Sequence, residues 1–223
     1  HRVPDKTNEI TSVAPLFAAL PIAGAVVTGD AMFTQKAIAT HLVEVKQAEY
    51  VFTVKDNQPT LRQDIVDLQL GAFPPQHTTV DKGHGRIEER HLWASDELVG
   101  YADFPYLRQA FRIERCVSTL AGVPLRTEVS YGVTSLPPAQ ASPARLLELI
   151  RGHWAIENRV HYVRDRTFDE DRSQVRKRGA PQLMATLRNL AISLLRLARA
   201  SNIASALRHC GRHVRTTLRL IGL

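Results

Sequence analysis

The chain has 223 residues, of which 44% are hydrophobic, and it carries a formal net charge of +7. This length and composition predict a folded protein with one sizeable core, alone or with an inserted subdomain, and argue against a disordered chain. The two cysteines lack metal-ligand spacing and indicate neither a disulfide framework nor a zinc site. No apolar run approaches the ~20 residues of a membrane span.

The first part of the chain, up to about residue 70, has an α/β pattern. A short helix is predicted at Leu16–Leu20, and a buried β-branched strand follows at Ala25–Thr28. Helical spacing over Thr34–Lys46 leads to a second strand at Tyr50–Val54, and this order predicts a parallel crossover unit. Asp30 then lies at the carboxyl end of the first strand, where open α/β sheets place their ligands.

The pattern changes to short, β-rich segments between residues 72 and 141. Strands are predicted within Arg86–Trp93, Phe111–Leu120 and Leu125–Val133, which are rich in β-branched and aromatic residues. Glycine and proline separate these segments, and Gly122–Pro124 has the composition of a hairpin link. We therefore expect a β-rich insertion.

A helical pattern begins at Ser142, with serine as N-cap and Pro143 in the first turn. Five residues follow at steps of three or four and share one helix face: Leu146, Ile150, Trp154, Glu157 and His161. Glu157 therefore lies on an apolar stripe, where a carboxylate is costly unless a cation or a metal neutralises it. Two further helices are predicted over about 181–200 and 203–220.

Charge is distributed unevenly along the chain. From Arg145 to the end there are sixteen Lys/Arg and six Asp/Glu, a net charge of +10, whereas the first 144 residues have thirteen and sixteen, a net charge of −3. Such asymmetry is expected when one part of a protein lies along a polyanion. A solvated, arginine-rich helical surface is the alternative.

Asp30 and Glu157 are the candidate metal ligands, because a carboxylate at a strand end and another on an inner helix face can converge on a divalent ion. In a basic chain the substrate of such a metal is expected to be a phosphodiester. Each residue also has a structural interpretation: Asp30 could cap the following helix, and Glu157 could pair with Arg164. Lys55 and Arg86 are candidate phosphate contacts. The alternative for Lys55 is an ordinary surface lysine, and the alternative for the segment around Arg86 is a turn without a binding role.

Five motifs occur in the same order as in a known family. They are Thr7–Thr11, Val27–Gln35, Tyr50–Gln58, His84–Arg90 and the stretch from His153–Asn158 through Asp165, Phe168, Glu170, Asp171 and Arg176. On these motifs the chain resembles bacterial insertion-sequence transposases of the H-repeat-associated type. The resemblance implies an α/β fold: a ribonuclease-H-like core, incomplete at its N-terminus, with a β-rich insertion and a helical C-terminal region.

The resemblance also implies a division of the chain. Residues 1–71 would form the first part of the catalytic core, 72–141 the β-rich insertion, 142–180 the last catalytic helix and a basic segment, and 181–223 the C-terminal helices.

Asp30 matches the family's second catalytic aspartate, and Glu157 matches its glutamate. The first aspartate lies in an Asp-Gly-Lys motif upstream of this sequence, so we expect the fragment to be catalytically weak or inactive. In the Tyr-Arg-Glu-Lys signature of related transposases, Ile150, His153 and Arg164 replace the Tyr, Arg and Lys.

The activity implied by the resemblance is cleavage and strand transfer at insertion-sequence ends by a DDE transposase. Two Mg²⁺ or Mn²⁺ ions, roughly 3.5–4 Å apart, would be held by Asp30 and Glu157 in the complete site. The expected partner is double-stranded DNA, both terminal inverted repeats and target, bound by a homodimer; no membrane partner is expected, and the location would be cytoplasmic and nucleoid-associated. The predicted DNA contacts are Lys55, Arg86, Arg164, Arg172, Arg176, Lys177 and Arg178. The alternatives are an inactive DNA-binding remnant and a non-enzymatic basic scaffold that binds nucleic acid.

Overall fold

A computed structural model describes residues 15–83, 85–156, 161–220 and 222, with the side chains of residues 155 and 156 excepted. The chain divides into two compact units, His1–His153 and Trp154–Leu223, called here the first and second units. The first unit is mixed α/β and contains one six-stranded sheet. The described residues of the second unit are helical or irregular. Among the helices described, none is both long and apolar enough to cross a membrane.

The sheet has the strand order β1-β2-β6-β5-β4-β3. Its strands are β1 (Val26–Gly29), β2 (Glu49–Val54), β3 (His77–Gly83), β4 (Arg86–Ser95), β5 (Gln109–Thr119) and β6 (Pro124–Thr134). β1 and β2 are parallel, and every other neighbouring pair is antiparallel. Since β6 pairs with β2, the four strands of the β-rich region belong to the same sheet as the crossover unit.

Six helices of the described residues are labelled. They are α1 (Lys36–Thr40), α2 (Pro59–Asp67), α3 (Pro143–Ile156), α4 (Ala180–Leu197), α5 (Ile203–Arg212) and α6 (Val214–Leu220). Residues 15–18 are also helical, and α1 continues as a π-helix over His41–Val45. The single helix expected over 203–220 is wrong: the backbone leaves helical geometry at His213, with φ −128° and ψ 83°, and two helices result.

β2 is buried on both faces. Tyr50 and Val51 are consecutive, so their side chains point to opposite sides of the sheet, yet they are only 0% and 3% exposed. Tyr50 belongs to a cluster with Leu42 and Phe52 beneath α1 and α2, and Val51 belongs to a cluster with Leu146 and Leu147 of α3. The crossover unit is thus a two-sided layer, as its uninterrupted β-branched and aromatic run predicts.

An ion cluster extends the α3 face of the sheet along β3, β4 and β5. The Glu88 carboxylate, 10% exposed, accepts from Arg86 at 2.6 Å and Arg115 at 2.9 Å, and also from Arg90. Burial raises the pKa of Glu88, but the hydrogen bond from Arg115 and the surrounding guanidinium charges outweigh it and hold the pKa below its usual value. In this part of the sheet face, the buried carboxylate of Glu88 is neutralised by arginines, whereas the core clusters beside it are apolar.

Candidate metal and DNA-binding site

Asp30 lies where the sequence predicts it, immediately after β1 and exposed to solvent. Its Oδ1 accepts the Met32 N–H at 3.2 Å and caps the short 3₁₀-helix Ala31–Phe33. The capping role considered from sequence is therefore present. Within the part of the chain that the structure describes, no donor contacts Oδ2, so the cap leaves half of the carboxylate available to a ligand.

Asp30 and Lys55 share one edge of the sheet. Each follows a strand directly, and β1 and β2 are parallel, so their carboxyl ends lie side by side. Three side-chain hydrogen bonds tie the segment after β1 to the end of β2 and the loop after it: Thr34 Oγ1 to Thr53 O at 2.6 Å, Asn57 Nδ2 to Ala31 O at 2.6 Å and Gln58 Nε2 to Thr34 O at 2.9 Å. These contacts fix the backbone on which Asp30 is presented.

The helix α3 covers the face of β1 that leads to Asp30. Val26 packs with the cluster that includes Leu146 and Leu147, and Thr28, two residues on, forms a 3.0 Å hydrogen bond with His153 Nδ1. Alternation along an extended chain places Val26, Thr28 and Asp30 on the same side. The contact of His153 with β1 is not predicted from the sequence, although the position of His153 four residues before Glu157 was a usable signal.

A second contact anchors α3 to the far part of the sheet. Arg151, two residues before His153, bonds its Nη2 to Asp81 Oδ2 of β3 at 2.9 Å, and Arg90 bonds the same oxygen at 2.7 Å. The last turns of α3 therefore contact both β1 and the ion cluster around Glu88. Arg86 belongs to that cluster, where it is 44% exposed and paired with Glu88.

Glu157 lies outside the described residues, which resume at residue 161. The predicted approach of Asp30 and Glu157 therefore remains a prediction. Among the residues that are described, no group of three or more His, Cys, Asp or Glu side chains is arranged to hold a metal ion.

Arg164, a predicted DNA contact, is engaged inside the second unit. Its Nε and Nη2 donate to the two carboxylate oxygens of Glu170 at 2.5 and 2.9 Å, and Arg188 contacts the same group at 3.3 Å. The hydrogen bond from Arg164 holds the pKa of Glu170 below its usual value. A guanidinium held in this bidentate pair has fewer donors left for a phosphate than the sequence suggests.

The other predicted DNA contacts are more accessible. Arg172, whose side chain is 85% exposed, is 3.7 Å from Asp169, a weak surface pair. Arg176, Lys177, Arg178 and Lys55 are exposed as well. The structure thus places Asp30 and Lys55 together in the first unit and an exposed basic segment in the second.

A family model described as a transposase DDE domain matches residues 1–194. "Putative protein YbfL" of Escherichia coli (strain K12) is 31% identical over 206 residues, 85% of this chain and 52% of its own length. The "H repeat-associated putative transposase YhhI" of the same strain is 30% identical over 207 residues, 86% of this chain and 52% of its own length. The chain spans about half the length of the curated relatives it matches.

Among solved structures, a piggyBac transposase in a synaptic complex with hairpin DNA aligns with 91% of this chain and 36% of its own. Its sequence identity is 13% and the TM-score is 0.37, a likeness too weak to carry an argument.

Proposed function

Because the chain belongs to the DDE transposase family, of the H repeat-associated type, we propose that it forms part of an enzyme that cleaves DNA at insertion-sequence ends and transfers the strands to a target. In this proposal β1, β2 and α3 are the described part of a ribonuclease-H-like core. Asp30 and Glu157 are its carboxylates, and double-stranded DNA is the substrate.

The hydrogen bond between Thr28 and His153 is the observation that carries the proposal. Thr28 is two residues before Asp30 on an extended strand, and His153 is four residues before Glu157 in the sequence. A contact at these two positions holds the strand that leads to one carboxylate against the helix that leads to the other. The sequence spacing beyond the contact then favours a shared site.

Asp30 suits a divalent ion by its chemistry. Its carboxylate is a hard oxygen donor of the kind that Mg²⁺ and Mn²⁺ prefer, it is solvent-accessible, and its Oδ2 accepts no hydrogen bond from the residues described. Two such ions, when bound, would activate the attacking water or 3′-hydroxyl and stabilise the leaving oxygen. The Met32 N–H holds the Asp30 carboxylate in place, and the Thr28–His153 contact positions the helix.

We also propose how this chain holds DNA. Lys55, exposed beside Asp30 at the same sheet edge, contacts a phosphate near the reacting bond. The exposed segment around Arg172, Arg176, Lys177 and Arg178 contacts the backbone further away, and Arg86 contributes only with the part of its guanidinium that Glu88 leaves open. Arg164 is paired with Glu170, so in this proposal it contacts DNA only with the donors that this pair leaves open. Binding as a homodimer to terminal repeats and target completes the proposal.

Two substitutions test the carboxylates in the full-length protein that contains this chain. Asp30→Asn and Glu157→Gln keep side-chain size but remove one negative charge from a metal ligand, whereas phosphate contacts by basic residues do not depend on that charge. We expect each to abolish metal-dependent strand cleavage while terminal-repeat binding stays within a few-fold. Asp96→Asn is the matched control, since Asp96 also follows a strand and is exposed.

Cleavage at near wild-type rates by either variant would show that the two-carboxylate assignment is wrong. Loss of folding and DNA binding together in both variants would make the carboxylates structural. If the unsubstituted protein binds terminal-repeat DNA but never cleaves it with Mg²⁺ or Mn²⁺, the inactive DNA-binding remnant is the better description.

A further inference from the structure

A cavity of about 850 Å³ opens within the second unit. It lies between the π-helical turn Val163–Thr167, the carboxyl end of α4 with the link that follows, and the first half of α5. Its volume falls within the range of roughly 300–1,000 Å³ found for small-ligand sites. Five apolar side chains contribute to its lining: Val163, Ala200, Ile203, Ala204 and Leu207.

Three arginines from three different segments also line this cavity: Arg166 from the turn, Arg196 from the last turn of α4 and Arg208 from α5. All three are exposed. Within the described residues, no carboxylate lies within ion-pair distance of Arg166 or Arg208. Like charges that face one cavity repel one another, and a bound anion would relieve that repulsion.

The helices α4, α5 and α6 supply no such anion. From Arg172 to Leu223 there are eleven Lys/Arg and not one Asp or Glu, so α4, α5 and α6 contain no carboxylate side chain. Glu170, just before this stretch, is occupied by Arg164 and Arg188. Arg166 and Arg208 therefore have no ion-pair partner among the described residues, and a bound anion would complement their charge.

The lining of the cavity also includes an aromatic ring and apolar side chains, which suit a planar apolar group. Tyr162 lines it with a ring that is 58% exposed, and the apolar side chains lie nearby. An exposed aromatic ring beside apolar side chains is the usual platform for a nucleobase, and guanidinium groups bind phosphate oxygens with two donors at a time. Neither feature alone requires a nucleotide. Together, the ring and apolar lining match the base of a nucleotide, and the three arginines match its phosphate.

We propose that this cavity binds a nucleotide, with the base against Tyr162 and the apolar lining and the phosphate between Arg166, Arg196 and Arg208. The nucleotide is either free or one unit of a single DNA strand, because both present the same base and phosphate. The proposal does not involve Asp30 or Glu157, so it stands or falls separately from the metal site.

Binding of dAMP, inorganic phosphate and a labelled short oligodeoxyadenylate to the full chain, at constant ionic strength, tests the proposal. Arg166→Gln and Arg208→Gln should each weaken binding of a nucleotide probe by on the order of tenfold or more, as expected for loss of a charged hydrogen bond. Arg212→Gln and Arg215→Gln remove the same charge from exposed residues of the same unit outside the cavity, and should change affinity less than about twofold. Tyr162→Ala should also weaken binding, and Tyr162→Phe should restore it.

Selective loss of dAMP binding in the cavity variants would support a free nucleotide as occupant. Selective loss seen only with the oligonucleotide would support a nucleotide within a strand. The proposal is overturned if cavity and control variants lose the same affinity, if inorganic phosphate competes as well as dAMP, or if neither nucleotide probe binds.

Discussion

Replacing Gly132 by alanine tests the packing between β2, β5 and β6. A Cβ at this position would lie 2.1 Å from Cζ and 2.5 Å from Cε2 of Phe111, and 2.5 Å from the backbone oxygen of Phe52. Carbon atoms pack at about 3.5–4.0 Å, so Cζ of Phe111 would have to retreat by more than an ångström, and the Phe52 oxygen would have to shift as well. Phe111 is 2% exposed within the cluster beneath α3, and Phe52 is held in the β2–β6 pairing, so neither can move freely.

We therefore expect Gly132→Ala to reach the upper end of overpacking costs, about 3 kcal/mol, and to lower Tm by roughly 6 to 12 °C. The assay is thermal and urea unfolding followed by fluorescence of Trp93, which is buried, in a Trp154→Phe background that removes the second tryptophan. Gly152→Ala is the control: nothing lies within 4 Å of a Cβ there, and alanine in a helix should raise stability by about 0.5–1 kcal/mol. A loss smaller than about 0.5 kcal/mol for Gly132→Ala would refute the argument.

Two further predictions concern the second unit. The triple substitution of Arg176, Lys177 and Arg178 by glutamine should reduce the slope of log affinity against log salt for duplex DNA by about two to three units; an unchanged slope would place the DNA elsewhere. The pKa of Glu170 is lower in the folded chain than its ordinary value of 4.5, so the stability that its pair with Arg164 provides is present above pH 4.5 and is lost as pH falls further. Circular dichroism melts between pH 3 and 7 should therefore show a decline below about pH 4.5 that is weaker in Glu170→Gln, and equal declines would contradict this linkage.

Much of the fold follows from local sequence patterns. The β-branched runs predict β1 and β2, the helical spacing between them predicts a parallel crossover, and all three are observed. Ser142 also behaves as predicted: α3 begins at Pro143, and the Ser142 hydroxyl accepts the Arg145 N–H at 3.4 Å. In these segments local propensity and tertiary environment favour the same structure.

Other features could not be read from local patterns. β3 lies at the edge of the sheet with alternating, mostly polar residues, so His77–Gly83 has no hydrophobic run to mark it. The Thr28–His153 contact joins residues 125 positions apart, and no periodicity encodes such a pair. The pairing of Arg164 with Glu170 was also not predicted, because several carboxylates and arginines alternate there and sequence does not choose among them.

The pairing of β2 with β6 has a consequence for how the chain is made. The Tyr50 N–H donates to Ser135 Oγ at 2.8 Å across 85 positions of sequence, and Thr134 Oγ1 donates to Tyr50 O at 2.6 Å. A ribosome adding 5–20 residues per second needs roughly 4 to 17 s between these partners. During that interval the edge of β2 that pairs with β6 in the folded chain has no partner. Its N–H and C=O groups are then open to pairing with a strand of another chain.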